Sequence, residues 1–219
     1  MSDQPPPTRG SIPIIAPPDR ENDRSPGTDC QVGAILLAAG TSSRFGDRNK
    51  LLATHDGTPL VRIAAETLLS ASVDPVIVVV GHESDLVREA LETLPVEIVH
   101  NPAYTSGQAT SLRRGIEALQ ARGEFDAALI ALGDMPFVKP ETISTLVSAY
   151  ANEAGDALAA GYDGKRGNPV LFDRRFFGAL TDVTGDTGGR TILLGSDAAA
   201  IVDVDDSGVR RDVDEPDDL

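Results

Sequence analysis

The chain has 219 residues and 41% hydrophobic content, enough for one domain with a full core and ordinary for a globular protein. Its formal net charge of -15 excludes nucleic acid and anionic membrane as bulk partners but leaves room for a local cationic pocket. The single cysteine, Cys30, excludes an intrachain disulfide and a cysteine-based zinc cluster, and no run approaches the roughly 18–20 apolar residues of a membrane span.

A cytoplasmic enzyme or binding protein is the expectation, because the N-terminus shows no basic-then-apolar signal pattern. Lysine is confined to Lys50, Lys139 and Lys165, and aspartate far exceeds glutamate. That usage resembles proteins from salt-loving organisms, so a halophilic chain is expected, with solubility and stability rising between low and molar KCl. Residues 1–30 hold seven of the fifteen prolines and almost no periodic apolar pattern. They read as a disordered, proline-rich tail, with one domain over residues 31–219.

In chain order, "VGAILLAAG" from Val32 is a continuous apolar run closed by glycine, the mark of a strand buried on both faces. "TPLVRIAAETLLSA" carries Leu60, Ile63, Ala64, Thr67, Leu68 and Ala71 at helical spacing. "PVIVVVG", "VEIVHN" and "DAALIALGD" read as further strands, and "ESDLVREALETL", "GQATSLRRGIEALQAR" and "KPETISTLVSAYANE" as the helices between and after them. Beyond Tyr150, "DALAAGYDGKRGNPVLF" reads as strand, turn, strand, and "GDTGGRTILLGS" as a loop and short helix. The last twenty residues read as a small hairpin and an acidic turn. Alternating strands and helices predict parallel pairing with right-handed crossovers, hence a three-layer α/β/α sandwich with a mostly parallel central sheet and a small C-terminal β extension. In open α/β sheets ligands sit beyond the carboxyl ends of the strands, which gathers the loops at Gly40, Gly81, Asn101 and Asp134 around one crevice.

The first of these loops, "GTSSRFGDRNK", joins glycines and hydroxyl side chains to Arg44 and Lys50. Backbone N–H groups, hydroxyls and two cations together suit a polyphosphate. Neither the Walker pattern nor GxGxxG is present, so the loop also reads as a plain strand-to-helix turn with solvated cations. "LGDMP" places Asp134 at a strand end. Beside phosphates such a carboxylate suits magnesium; as structure alone it is a turn residue. His55, His82 and His100 lack any nucleophile partner at recognisable spacing and read as structural or surface residues, as do Arg113 and Arg114.

"LAAGTSSRFG" leading to Lys50, followed by "GDMP", resembles the nucleotidyltransferases of molybdenum cofactor biosynthesis, above all their cytidylyltransferase branch. The resemblance runs from about Val32 to Leu219 and takes in "NPAYTSGQATSL", "GNPVLF", "GDTGGRTIL" and "DVDEPDDL" in the family's order. It implies a Rossmann-like nucleotidyltransferase that uses magnesium, transfers a nucleotide from CTP (or GTP) to the molybdenum-pterin cofactor, and releases pyrophosphate. It further implies that Leu37, Ala38, Ala39, Gly40, Thr41, Ser42, Ser43 and Gly46 hold the nucleotide with Arg44 on its outer phosphates. Lys50 approaches the α-phosphate, and Gly81, Asn101, Gly107 and Ser111 line base and ribose. Asp134 binds metal together with Asp212 or Asp214. Gly167, Asn168, Pro169, Asp186, Gly188 and Arg190 face the acceptor. Arg166 and Arg190 read as cations of acceptor-side loops, open to a role on the acceptor phosphate.

Alanine at position 39, where guanylyl members tend to carry glycine, favours the smaller pyrimidine, so CTP is expected over GTP. A guanylyltransferase or a sugar-phosphate nucleotidyltransferase is the alternative within the same chemistry. A non-catalytic module delivering nucleotide or cofactor to a molybdoenzyme or its chaperone is the alternative outside it. No general base is required, because an acceptor phosphate is already an ionised nucleophile.

Overall fold

The computed structural model describes residues 12–18, 30–42, 45, 49–186 and 188–219. Strands β1 (Ile14–Ile15) and β2 (Val32–Ala38) come first, followed by a short 3-10 turn at Lys50–Leu52 and a small ribbon of β3 (Thr54–His55) and β4 (Thr58–Pro59). Then follow α1 (Leu60–Leu69), β5 (Val76–Val80), α2 (Ser84–Leu91), β6 (Glu97–His100), α3 (Gln108–Arg122), β7 (Ala127–Leu132) and α4 (Pro140–Ala151). The C-terminal third contributes β8 (Ala157–Tyr162), β9 (Lys165–Asp173), α5 (Phe177–Asp182), α6 (Arg190–Gly195) and β10 (Ala199–Asp203), with 3-10 turns at Ser207–Arg210 and Pro216–Asp218.

Eight strands form one sheet in the order β1-β10-β8-β9-β7-β2-β5-β6. Only β9 runs against its neighbours. Period-two alternation sorts the apolar strands onto two faces. Ala34, Leu36, Ala38, Val76, Val78 and Val80 pack with Val61 and Leu68 of α1, Val87 of α2 and Leu146 of α4. Ile35, Ile77 and Val79 pack on the other side with Leu112, Ile116 and Leu119 of α3, Leu180 of α5 and Leu193 of α6. Each fully buried Leu or Ile contributes about 1.5–3 kcal/mol, so the three layers follow from burial of both sheet faces.

Two features depart from the reading of the sequence. The C-terminal hairpin is not formed: β10 pairs in parallel with β8, Ile201 opposite Ala159, and becomes an interior strand of the main sheet. Its run "AAIV" is buried throughout, which suits a strand flanked on both sides. What flanks it on the outside is β1, with Ile14 opposite Ile201 and Ile15 opposite Val202. This strand lies inside the stretch expected to be a disordered tail, so at residues 12–18 the chain takes part in the fold; the rest of residues 1–29 lies outside the described residues.

Strand order positions the site. The chain runs from β2 outward to β5 and β6, then returns to the other side of β2 as β7. The two βα loops diverge at that reversal and leave a crevice between them. The register sets Leu37 opposite Leu132 and Ala38 opposite Val80, so the loops that follow leave the sheet at one level.

One buried carboxylate fastens the C-terminal segment to this frame. Asp206 is 3% exposed. It accepts from the Lys139 amide at 2.9 Å and the Thr142 hydroxyl at 2.7 Å, and from the Gly208 amide at 2.9 Å. It thereby caps the start of α4 with a group from the turn after β10. Charged hydrogen bonds of this kind contribute about 1.5–3 kcal/mol each at most, and losing the acceptor leaves buried donors unpaired. Asp206→Ala should therefore lower stability by about 2–4 kcal/mol, a fall of several degrees in Tm by calorimetry. An unchanged Tm would show that the cap is dispensable.

Candidate active site

Beyond β2 the chain turns through Ala39, Gly40, Thr41 and Ser42, the last with a left-handed backbone at φ 55°. Its hydroxyl accepts from the Lys50 amide at 3.1 Å and donates to Asn49 Oδ1 at 3.2 Å. The same Asn49 oxygen caps the 3-10 turn by accepting from the Leu51 amide at 3.1 Å. Its amide nitrogen reaches the His82 carbonyl at 3.4 Å. Lys50 is thus launched from a turn pinned to two loops. Ser43, Arg44 and Gly46, expected in the phosphate-binding part of this loop, lie outside the described residues.

Lys50 Nζ lies 2.6 Å from Asp134 Oδ2 and 2.9 Å from Asp214 Oδ1. The side chains are 14%, 21% and 25% exposed respectively, so the trio sits at the mouth of the crevice rather than in the core. Burial alone would lower the Lys50 pKa, but the charges and hydrogen bonds of Asp134 and Asp214 outweigh it and hold the ammonium above its ordinary value. Lys50 therefore remains a cation throughout the neutral range. The Val213 amide donates to the Asp134 carbonyl at 2.9 Å, which lays the C-terminal segment along the Gly133–Asp134 turn. Of the two aspartates expected from the final motif, Asp214 is the one that reaches Lys50; Asp212 is exposed.

Asp134 Oδ1 is buried and has no hydrogen-bond partner. An orphaned carboxylate oxygen beside a second carboxylate suits a hard divalent cation, which accepts one or two carboxylates when phosphate oxygens complete its shell. Among the described residues no group of three or more His, Cys, Asp or Glu could hold a metal unaided. The donor set thus fits a cation that arrives with phosphate.

Two adjoining cavities lie in the crevice, and Lys50 and Asp134 line the larger of them. The larger, about 600 Å³, is lined by Ala39, Gly40, Thr41, Ser42, Lys50 and Asp134 on one side. Tyr104, Thr105, Ser106, Gly107, Gln108 and Ser111 line it on the other. The smaller, about 350 Å³, has apolar walls from Leu112, Ile130, Val170, Phe172 and Leu193 and polar groups from Arg166, Asn168 and Arg190. Leu37, Gln108, Leu132 and Asp186 belong to both. Burial, and secondarily the charge of Arg190, lower the Arg166 pKa. Two guanidiniums facing one half-buried space favour an anion between them.

Several expected residues take a different place. Asn101 is 1% exposed and does not line either cavity. Its amide donates to the Thr110 and Ser111 hydroxyls, both at 2.9 Å, and its oxygen accepts from the Ala103 amide at 3.0 Å, so it shapes the loop ahead of α3. Gly81 is buried where a β-carbon would meet Tyr104 Cβ at 2.6 Å; it lets Tyr104 close over the loop. Ala38 is core. Gly167 packs against Val209, and Pro169 lines a small apolar crevice near α1 rather than the acceptor-side cavity. Arg113 is not a plain surface residue, because its guanidinium donates to the Thr181 and Val183 carbonyls and ties α3 to the end of α5.

Gly107 and Asp186 form the seam between the cavities. Gly107 has φ 103°, and a β-carbon there would meet the Gly185 carbonyl oxygen at 2.7 Å and Asp186 Oδ1 at 2.8 Å. Asp186 in turn accepts from the Gln108 amide at 3.3 Å, at the start of α3. Gly188 lies beside it in the same loop. Tyr104, Thr105, Ser106, Gln108 and Asn49 escaped individual notice in the sequence. Four of them stand inside "NPAYTSGQATSL", between residues that were singled out.

Comparisons with known proteins identify the family. Residues 34–200 match the family profile described as MobA-like NTP transferase domain. The chain is 30% identical over 192 residues to nicotine blue oxidoreductase of Paenarthrobacter nicotinovorans, covering 84% of this chain and 92% of that one. It is 27% identical over 189 residues to molybdenum cofactor cytidylyltransferase of Escherichia coli, covering 86% and 93%. Among solved structures, Rv0371c of Mycobacterium tuberculosis superposes with a TM-score of 0.73 at 26% identity over 86% of this chain and 95% of that one. A second structure of Rv0371c is a complex with manganese, with a TM-score of 0.70 over the same shares of the two chains. With the profile spanning well over half of its length, the chain belongs to the MobA-like NTP transferase family.

Proposed function

We propose that the protein is a magnesium-dependent nucleotidyltransferase that transfers CMP from CTP to the molybdenum-pterin cofactor and releases pyrophosphate. The observation that carries this reading is Lys50 held between Asp134 and Asp214, with Lys50 and Asp134 lining a cavity that adjoins a second one through Leu37, Gln108, Leu132 and Asp186. The larger has the size and polar lining for a nucleoside triphosphate. The smaller joins apolar walls to Arg166 and Arg190, which suits a flat, apolar acceptor ending in phosphate. The relationship to the Escherichia coli cytidylyltransferase supports the choice of acceptor and base.

The chemistry asked of these residues is electrostatic. An acceptor phosphate oxygen forms the new bond to the α-phosphorus as the bond from that phosphorus to the bridging oxygen breaks, and pyrophosphate leaves with the electron pair. Both reactants are anions, so they must be neutralised and aligned. Arg166 and Arg190 hold the acceptor phosphate. Lys50, on a flexible stem, turns from the carboxylates to the α-phosphate. Magnesium held by Asp134 and Asp214 would supply the remaining positive charge on the phosphates. No side chain needs to remove a proton.

The relative named nicotine blue oxidoreductase favours a second reading, a redox enzyme on the same scaffold. The two are separated by assaying pyrophosphate release with CTP and GTP in the presence of molybdenum-pterin, with mass spectrometry of the pterin product. A CMP adduct with CTP preferred is the expected result. Preference for GTP would make the protein a guanylyltransferase, and no pyrophosphate with any triphosphate would turn attention to the redox reading. One methyl in a tight pocket discriminates about 10 to 200-fold, so Ala39→Gly should narrow the CTP preference by a factor in that range.

Lys50→Ala should reduce kcat by about 10²- to 10³-fold, the scale for loss of one transition-state donor, with a smaller effect on CTP binding. A loss confined to KM would assign Lys50 to ground-state binding instead. Asp134→Asn keeps shape and removes charge. The magnesium concentration for half-maximal rate should rise at least tenfold while the circular dichroism spectrum stays unchanged; an unaltered magnesium requirement would remove Asp134 from the metal site.

A further inference from the structure

Asp214 comes from the last six residues of the chain, yet its carboxylate must hold station within hydrogen-bonding distance of a lysine 164 positions earlier. It lies outside any strand or α-helix and is only partly buried. Something must pin the segment that carries it.

The pin is a closed circuit of contacts. Arg211, exposed and three residues before Asp214, stacks its guanidinium 3.7 Å from the centroid of the Phe137 ring. The same guanidinium donates to the Asp218 carbonyl at 2.9 Å. The Asp218 carboxylate then accepts from the amides of Asp214 at 2.9 Å and Glu215 at 2.8 Å, closing a capped turn around Asp214. From Asp214 the circuit passes to Lys50 and to Asp134, and from Asp134 it returns three residues along the chain to Phe137. The other partner of Phe137 is His55, edge-on at 5.2 Å and 86°. His55 lies five residues after Lys50. One aromatic ring, itself on the Asp134 segment, therefore touches the two segments that deliver Lys50 and Asp214.

We propose that Arg211, acting through Phe137 and Asp218, is a positioning residue that fixes Asp214 at the divalent-cation site. The inference rests on the metal role given to Asp134 and Asp214 above. An exposed arginine gains little from burial, so its stack and its carbonyl bond have value chiefly for what they orient. The Val213 amide bond to Asp134 sets the path of the segment. Arg211 sets the direction in which the next residues turn, and hence whether the Asp214 carboxylate faces Lys50 or solvent.

The test compares Arg211→Ala, Arg211→Lys, Phe137→Leu and the double variant Arg211→Ala/Phe137→Leu with the unaltered chain. Two readouts are used: Mn2+ binding followed by electron paramagnetic resonance with CTP present, and amide exchange of residues 212–219. Arg211→Ala and Phe137→Leu should each raise the Kd for Mn2+ about tenfold and speed exchange in the terminal segment. Tm and the KM for CTP should move little, and kcat should fall with metal affinity. The double variant should be no worse than either single change, because both break one circuit. Arg211→Lys, which keeps the cation over the ring, should recover part of the loss.

Unchanged exchange and unchanged Mn2+ affinity in Arg211→Ala would overturn the proposal, as would strictly additive losses in the double variant. If the unaltered chain bound no Mn2+ under any condition, the metal reading would fail. Amide exchange would then still decide whether Arg211 holds the segment.

Discussion

Three charges, Lys50, Asp134 and Asp214, meet within 2.9 Å of one another through the lysine, and the arrangement of the rest of the chain is what permits it. Two carboxylates that close repel unless a cation lies between them. Lys50 supplies that cation from a turn capped by Asn49 and Ser42. Because the trio is largely but not fully withdrawn from water, desolvation is appreciable and the opposite charges offset it. That balance suits a site whose ions must exchange partners during a reaction. A fully buried triad would be locked in place, and a fully exposed one would not define a geometry.

The parallel sheet explains how such distant positions converge. Loops after β2 and β7 open on the same side because parallel strands present their carboxyl ends together, and the chain reversal at β2 parts them. The single reversed strand adds what parallel strands could not. As β9 runs the other way, its beginning rather than its end lies beside the end of β7: Val170 pairs with Ile130, and Asn168 and Arg166 continue past it toward the ligand side. The hairpin from β8 that makes this possible turns on Asp163 and Gly164, both with positive φ, as a tight two-residue connection between antiparallel strands requires.

Between the two cavities the seam is backbone against backbone. Gly107 approaches the Gly185 carbonyl more closely than any residue with a β-carbon could, and Asp186 accepts from the first amide of α3. The loop that carries Gly188 and Arg190 is thereby held against the helix that borders the larger cavity. In the proposed reaction this contact sets the distance between donor and acceptor, so a small change in it matters as much as a change in the charged residues.

The sequence by itself determined the layered α/β architecture, because continuous apolar runs and helical periodicity are local patterns that burial on two sheet faces makes compulsory. It also marked Asp134, which stands at the end of such a run where strands deliver residues to ligands, and Lys50, which closes the glycine-rich loop that follows another. Tertiary structure decided what depends on pairing across long separations. It chose Asp214 over Asp212, because the turn capped by Asp218 begins at Asp214 and holds that residue beside Lys50 while Asp212 stays exposed. It turned Asn101 inward to Ala103 and to Thr110 and Ser111 of α3, brought Ile14 and Ile15 into the sheet beside β10, and drew Arg211, Phe137 and His55 together. None of these has a local signature: a hydrogen bond or a stacked ring between residues far apart in the chain leaves no periodicity behind, and its geometry exists only once the sheet has fixed where each segment emerges.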